Sequence, residues 1–245
     1  MVEINEEIIK IVFVGESNSG KSSIIKKYLQ LETIKKPTIF DNYRVKYVSQ
    51  KKRTDQIKSY NDINEKPASN FNSHLKQRVN LANTENTFFN ICDTSGKEEM
   101  ERLMRMSYLN ADVFVLCIEC HNLKDNVYYK KLIQSLQKTN KPIVLAATKC
   151  DKIIGTKKKS SAIADEKKYD GEFNVVTANM ITGNLDVINS NAQEIVANYS
   201  LNSYVLISIK RKKSVNDLFD ECARIYYESK NEEKIVENCC NCFSY

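Results

Sequence analysis

The sequence predicts an α/β fold: a doubly wound, mostly parallel sheet with one antiparallel edge strand and helices on both faces. Three observations predict it. Apolar strand runs alternate with helical patterns along the chain. Two of the runs, residues 113–118 and 142–147, are continuously apolar, as strands buried on both faces are. Polar motifs at 15–22, 93–96 and 148–151 follow directly on strand runs, and Ser208-Ile209-Lys210 ends the last one. In such sheets ligands sit outside the carboxyl ends of the strands.

The first strand, residues 8–14, runs into Gly15-Glu16-Ser17-Asn18-Ser19-Gly20-Lys21-Ser22, which fits G-x-x-x-x-G-K-[ST]. A helical pattern starts near Lys21. Gly15 and Gly20 let the backbone curl so that successive N–H groups converge, and the helix adds the positive end of its dipole. Lys21 reaches outer phosphates as a point charge, and the Ser22 hydroxyl, with Ser23 beside it, faces a Mg²⁺ ion. The loop therefore reads as a nucleoside di- or triphosphate site and leaves the base open. A chance glycine turn is the alternative, and the flanking strand and Lys-Ser pair oppose it.

Pro37 ends any helix before it, and residues 40–48 alternate loosely, as an edge strand does. Residues 49–86 are rich in Lys, Asn, Ser and Gln and show no period, which predicts a flexible insertion. Lys51-Lys52-Arg53 within it reads as a solvated run or a docking patch. Residues 87–92 form the next strand and deliver Asp93-Thr94-Ser95-Gly96. Residues 98–109 are an amphipathic helix with Leu103, Met106 and Leu109 on one face. A helix at 127–136 precedes the strand that ends at Thr148-Lys149-Cys150-Asp151. A second polar insertion spans about 152–180, with Lys157-Lys158-Lys159. A helix at 187–199, a strand at 204–207 and a helix at 215–227 complete the pattern.

With 245 residues, the chain reads as a tail at 1–7, a domain at 8–229 carrying both insertions, and a flexible tail at 230–245. Apolar content of 42% with 28% charged residues is ordinary for a soluble domain. The net charge of +6 comes without a basic stripe interleaved with aromatics, so no nucleic-acid partner is expected. No apolar run approaches the roughly 20 residues of a membrane span. The acidic N-terminus lacks a signal core, and Val2 in place of glycine predicts no N-myristoyl anchor. The 8 cysteines are not spaced as a disulfide framework. Cys92, Cys117 and Cys150 read as small buried thiols, and Cys117-x-x-Cys120 has no second pair to make it a zinc or redox motif.

The order of these motifs resembles the Ras superfamily of small GTP-binding proteins. Pro37-Thr38-Ile39-Phe40-Asp41-Asn42-Tyr43, Arg102-Leu103, Ser107-Tyr108, Ala111-Asp112-Val113-Phe114 and Thr148-Lys149-Cys150-Asp151 look like its Rho branch. The resemblance covers about residues 8–48, 87–151 and 181–229. It implies a P-loop G domain, GTP/GDP and Mg²⁺ as cofactors, and a switch that recruits effectors. Asp151 would accept from guanine N1–H and the 2-amino group, which adenine cannot supply. The alternative role for Asp151 is a helix N-cap. Thr148 and Lys149 belong to the same motif, and Lys149 would lie along ribose and base. Ser208 would brace Asp151, the Ile209 N–H would meet the guanine oxygen, and Lys210 closes that motif. Ser22 and Thr38 would ligate Mg²⁺, with Asp93 behind through water. The Gly96 N–H would face the γ-phosphate. Lys21, Thr38, Gly96 and Lys97 would stand at the reacting phosphate. Effectors would read residues 35–43 and the helix after Gly96, as would an exchange factor and an activating protein. A monomer is expected.

The sequence departs from that pattern in places. Lys97 stands where the family has its water-positioning Gln; an ammonium has three donors and no acceptor, so slow hydrolysis is expected. Replacement of a catalytic cation is the competing reading of Lys97. Ser17 replaces a Gly. Ile209 replaces an Ala. Leu31 replaces an aromatic that packs against the guanine, and Lys35 a Tyr over the phosphates, so faster release is expected. Cys242 is fourth from the C-terminus, as prenylation requires, though Phe243-Ser244-Tyr245 is an unusual ending. Cys239 and Cys240 could carry a second lipid. The expected place is the cytoplasm, with anchoring to the cytoplasmic face of a membrane. The leading function is a GTP-dependent Rho-type signalling switch acting on cytoskeletal or membrane-traffic effectors. The alternative is a catalytically weak module held GTP-bound.

Overall fold

A computed structural model describes residues 6–32, 38–49, 86–97, 100–123, 127–154 and 175–241. The elements are β1 (Glu7–Val14), α1 (Lys21–Leu29), β2 (Phe40–Lys46), β3 (Thr87–Thr94), α2 (Glu101–Tyr108), β4 (Val113–Glu119), α3 (Val127–Gln137), β5 (Ile143–Thr148), α4 (Cys150–Ile154), α5 (Val175–Asn198), β6 (Ser203–Leu206) and α6 (Lys212–Asn241). The sheet order is β2-β3-β1-β4-β5-β6. β2 pairs with β3 antiparallel, and every other pairing is parallel. The expected doubly wound sheet with one antiparallel edge strand is what forms.

The period-2 alternation of β1 explains the two layers. Ile9, Ile11 and Phe13 join Ile24 and Ile25 of α1 and Val215, Leu218 and Phe219 of α6 on one face. Val12 and Val14 join Tyr129, Ile133 and Leu136 of α3, with Met104 and Tyr108 of α2, on the other. Each fully buried side chain of this kind contributes roughly 1.5–3 kcal/mol. Covering both faces leaves the carboxyl ends of β1, β3, β4, β5 and β6 gathered along one edge of the sheet.

Several expectations change at the element boundaries. Met106 and Leu109, on the face expected to be apolar in the helix after Gly96, do not face the core. Met106 and Leu109 are 68% and 81% exposed, while Met104 and Tyr108 are buried, the latter edge-on to Phe114. α5 begins at Val175, twelve residues before the predicted start at 187, so part of the second polar insertion is helical. α6 continues to Asn241, past the predicted end at 227 and through most of the expected flexible tail. Its extension is tied to the start of β1. Glu7 accepts from Tyr226 at 3.2 Å, from Tyr227 at 3.0 Å and from the Lys230 ammonium. Beyond Lys230 the sequence holds no Gly or Pro to end the helix. Residues 33–37, 50–85 and 155–174 and Cys242 lie outside the described residues, and with them Lys35, Lys51-Lys52-Arg53 and Lys157-Lys158-Lys159. No helix of the described residues is long and apolar enough to cross a membrane.

Candidate nucleotide site

The loop after β1 is a tight curl. Gly15 has φ 140°, and a Cβ there would lie 2.4 Å from the Cys117 carbonyl oxygen, so glycine is required. Gly20, at φ 100°, starts α1, and Asn18 is also left-handed at φ 63°. The Ser19 N–H closes the turn onto the Glu16 carbonyl at 3.2 Å. Lys21 is buried and folds back, donating to the carbonyls of Gly15 at 2.9 Å and Glu16 at 2.8 Å. Burial pushes its ammonium below the ordinary lysine range, opposed by Cys117, Asp93 and Glu16. An incoming phosphate would give that charge a better partner than two carbonyls. Ser17 and Asn18 are exposed at the loop tip, and Ser23 is half-buried.

Oxygen donors gather beside the loop. The Ser22 and Thr38 hydroxyls are 3.0 Å apart. The Asp93 carboxylate behind them is fully buried, and neither oxygen has a hydrogen bond. Burial raises its pKa, against the pull of Ser22, Lys21 and Thr38. An orphaned carboxylate near two hydroxyls is a set of hard oxygen donors that suits Mg²⁺ completed by phosphate oxygens and water. The residues present fit the ion.

The two loops expected to sense the γ-phosphate are joined. The Ser95 N–H donates to the Ile39 carbonyl at 3.1 Å. Gly96 lies directly on the phosphate loop. Its carbonyl accepts from the Ser17 N–H at 3.1 Å, and a Cβ on it would come within 2.1 Å of the Ser17 nitrogen. In this conformation it is therefore the Gly96 carbonyl that contacts the cradle. Lys97 is exposed, its backbone N–H on the Ser95 hydroxyl at 3.3 Å.

The motif expected to read the base packs against the same cradle. The Thr148 hydroxyl donates to the Ser19 carbonyl at 2.6 Å, and Gly20 faces the Thr148 side chain. Asp151 accepts from the Ser208 hydroxyl at 3.1 Å and pairs with the Lys210 ammonium at 3.0 Å. Burial alone would raise the Asp151 pKa, but these two partners and its own backbone N–H outweigh it and hold the carboxylate ionised. Ser208 thus contacts the Asp151 carboxylate directly. Lys210 occupies the second oxygen, and Ile209 is exposed at 44%. Leu31 is also exposed. The Lys149 ammonium pairs with Glu119.

Three features escaped sequence reasoning. Glu119 ends β4 on the shared edge of the sheet and holds Lys149; it was legible as the first polar residue after an apolar strand. Tyr129 of α3 donates to Glu16 at 3.1 Å, tying the phosphate loop to a helix. Nothing in the spacing marks that pair. Cys150 is not a free thiol: it forms a disulfide with Cys120, while Cys92 and Cys117 stay free and buried. Cys120 therefore pairs across two strand ends, with Cys150 rather than with its sequence neighbour Cys117.

A glycine cradle, a buried carboxylate beside two hydroxyls and a braced aspartate on one edge of such a sheet define a P-loop nucleotide-binding protein of G-domain type. The sequence pattern of the Ras family matches residues 59–228, and the chain belongs to that family. It is similar to the GTP-binding protein RHO5 of Saccharomyces cerevisiae, 24% identical over 226 residues covering 88% of this chain. The chain spans 64% of that protein's own length. It is also similar to the GTP-binding protein RHO3 of the same yeast, 23% identical over 88% of this chain and 83% of that protein.

Proposed function

We propose that the chain is a GTP-binding molecular switch of Rho type, which holds guanosine phosphates with Mg²⁺ and recruits effectors in one nucleotide state. The observation that carries this reading is the Thr148–Ser19 hydrogen bond, which joins the expected base motif to the phosphate loop. Gly15 to Ser23 would wrap the phosphates, Lys21 would move onto them, and Asp151 with Thr148 and Lys149 would read the base. The Ile209 N–H would meet the guanine oxygen, and Lys210 would leave Asp151 as the base arrives. Ser22, Thr38 and Asp93 would hold the ion, whose charge neutralises the phosphate oxygens. Thr38 and Gly96 sit on two joined loops, so a γ-phosphate that holds one biases the other. Partners would dock on residues 35–43 and on α2; of these, Ile39, Met106 and Leu109 are exposed. The two relatives, each described as a GTP-binding protein, support the same reading. Membrane attachment would run through a lipid on Cys242, with Cys239 and Cys240 as second sites. A mass increase on the expressed protein, lost in Cys242→Ser, checks it. Identifying the nucleotide released from the purified, denatured protein tests the main reading. GDP or GTP supports it, and an adenine nucleotide contradicts it.

The alternative, a catalytically weak module that stays GTP-bound, is favoured by Lys97. An exposed ammonium cannot accept a hydrogen bond from an attacking water. Single-turnover GTP cleavage should be slow in the parent and rise about tenfold in Lys97→Gln, a barrier difference near 1.4 kcal/mol. A parent as fast as its Lys97→Gln variant removes this reading.

A further inference from the structure

We propose that Glu119 is a positioning residue for the base half of the nucleotide site, acting through Lys149. The proposal deepens the guanine-nucleotide reading and rests on it. Glu119 is the last residue of β4 and stands opposite Thr148, the last residue of β5. Lys149 follows with a left-handed φ of 59°, and its ammonium pairs with Glu119 Oε1. The other carboxylate oxygen lies 3.4 Å from His121 Nδ1. Glu119 is 14% exposed and Lys149 25%, so the pair is partly withdrawn from water and stronger than a surface contact.

The next residues are joined as well, Cys120 to Cys150 by the disulfide. Two adjacent residues of one segment thus hold two adjacent residues of the base motif, one by charge and one covalently. The backbone of the motif is fixed further by the Cys150 N–H on the Ile207 carbonyl at 3.1 Å and by Ser208 on Asp151. The long Lys149 side chain is what remains to be ordered, and Glu119 orders it before a nucleotide arrives. Without Glu119 the ordering entropy would fall on the binding step, and the nucleotide would leave faster. Discrimination between bases would not change, because Asp151 sets it.

The test uses the full chain loaded with a fluorescent GDP analogue, chased with excess GDP at fixed Mg²⁺. Glu119→Gln and Glu119→Ala should each release it about tenfold faster, and Glu119→Asp should stay within about twofold of the parent. The preference for GDP over IDP should be unchanged. In a Lys149→Met background, Glu119→Gln should have no further effect. A merely structural role would instead add its effect in that background. Glu119→Gln keeps shape and size, so it carries the test if Glu119→Ala does not fold. Unchanged or slower release in Glu119→Gln, or additive effects in the double variant, overturns the proposal. A parent that binds no guanosine nucleotide overturns the functional reading and this inference together. A parent that binds GDP normally while Glu119→Gln behaves as the parent overturns this inference alone.

Discussion

Asp93 shows how a single residue can make a folded chain depend on its ligand. Its carboxylate is buried with no hydrogen bond to either oxygen, a cost that a cation would remove. Asp93→Asn should therefore stabilise the cation-free chain by about 1 kcal/mol in chemical denaturation. The same substitution should weaken Mg²⁺ binding at least about tenfold by calorimetry in the presence of GDP. An Asp93→Asn chain that is less stable without Mg²⁺ would contradict this account. At Gly96 the constraint is steric. A methyl there would overlap the Ser17 and Glu16 backbone, so Gly96→Ala should lift this segment off the phosphate loop. Loss of the Ser17–Gly96 bond should cost about 1 kcal/mol, and residues 95–97 should become more open to limited proteolysis. Residues such as Lys21, Asp93 and Asp151 were legible in the sequence because each sits in a short pattern after a strand. Tyr129 was not, because its partner Glu16 is more than a hundred residues away and no local spacing connects them.

The helix after Gly96 is the element on which sequence pattern and structure part. Leu103, Met106 and Leu109 are spaced as one helical face, and that spacing says nothing about which face meets the sheet. The pair Met104 and Tyr108, four residues apart, takes the core. Met106→Ser with Leu109→Ser should change unfolding stability by less than about 0.5 kcal/mol, since both side chains are already in water. The same double variant should weaken any partner that docks on α2, by pull-down against a GTP-loaded parent. The link between the end of β4 and α4 makes the opposite prediction. Cys120 and Cys150 are 30 residues apart, and closing that loop is worth roughly 3–4 kcal/mol. Cys120→Ser should lose about that much in the absence of reductant, and reduced parent should match it. Equal stability of oxidised and reduced parent would contradict the link. Spacing could not reveal this disulfide, because its cysteines come from two different strand ends that only the sheet order brings together.

At the scale of the molecule, the sheet order does the assembly. β1, β3, β4, β5 and β6 all run the same way, so their ends place the phosphate loop, Asp93, Glu119, Thr148 and Ser208 along one edge. This was legible in outline, because continuous apolar runs alternating with helices leave few topologies open. The lengths of α5 and α6 were not: Gly183 lies inside α5 and weakens the helical pattern before 187, and the polar end of α6, without Gly or Pro, is equally compatible with a helix and with a tail. The proposed function requires that the Asp151 carboxylate and the phosphate cradle hold two ends of one guanosine phosphate. A competition titration on the full chain with Mg²⁺ tests it most directly. Unlabelled GTP should displace a bound fluorescent GDP analogue, while ATP should need a concentration higher by roughly 10⁴-fold, the penalty for leaving a buried polar site unpaired. Displacement by ATP at the same concentration as GTP would show that Asp151 does not read a guanine.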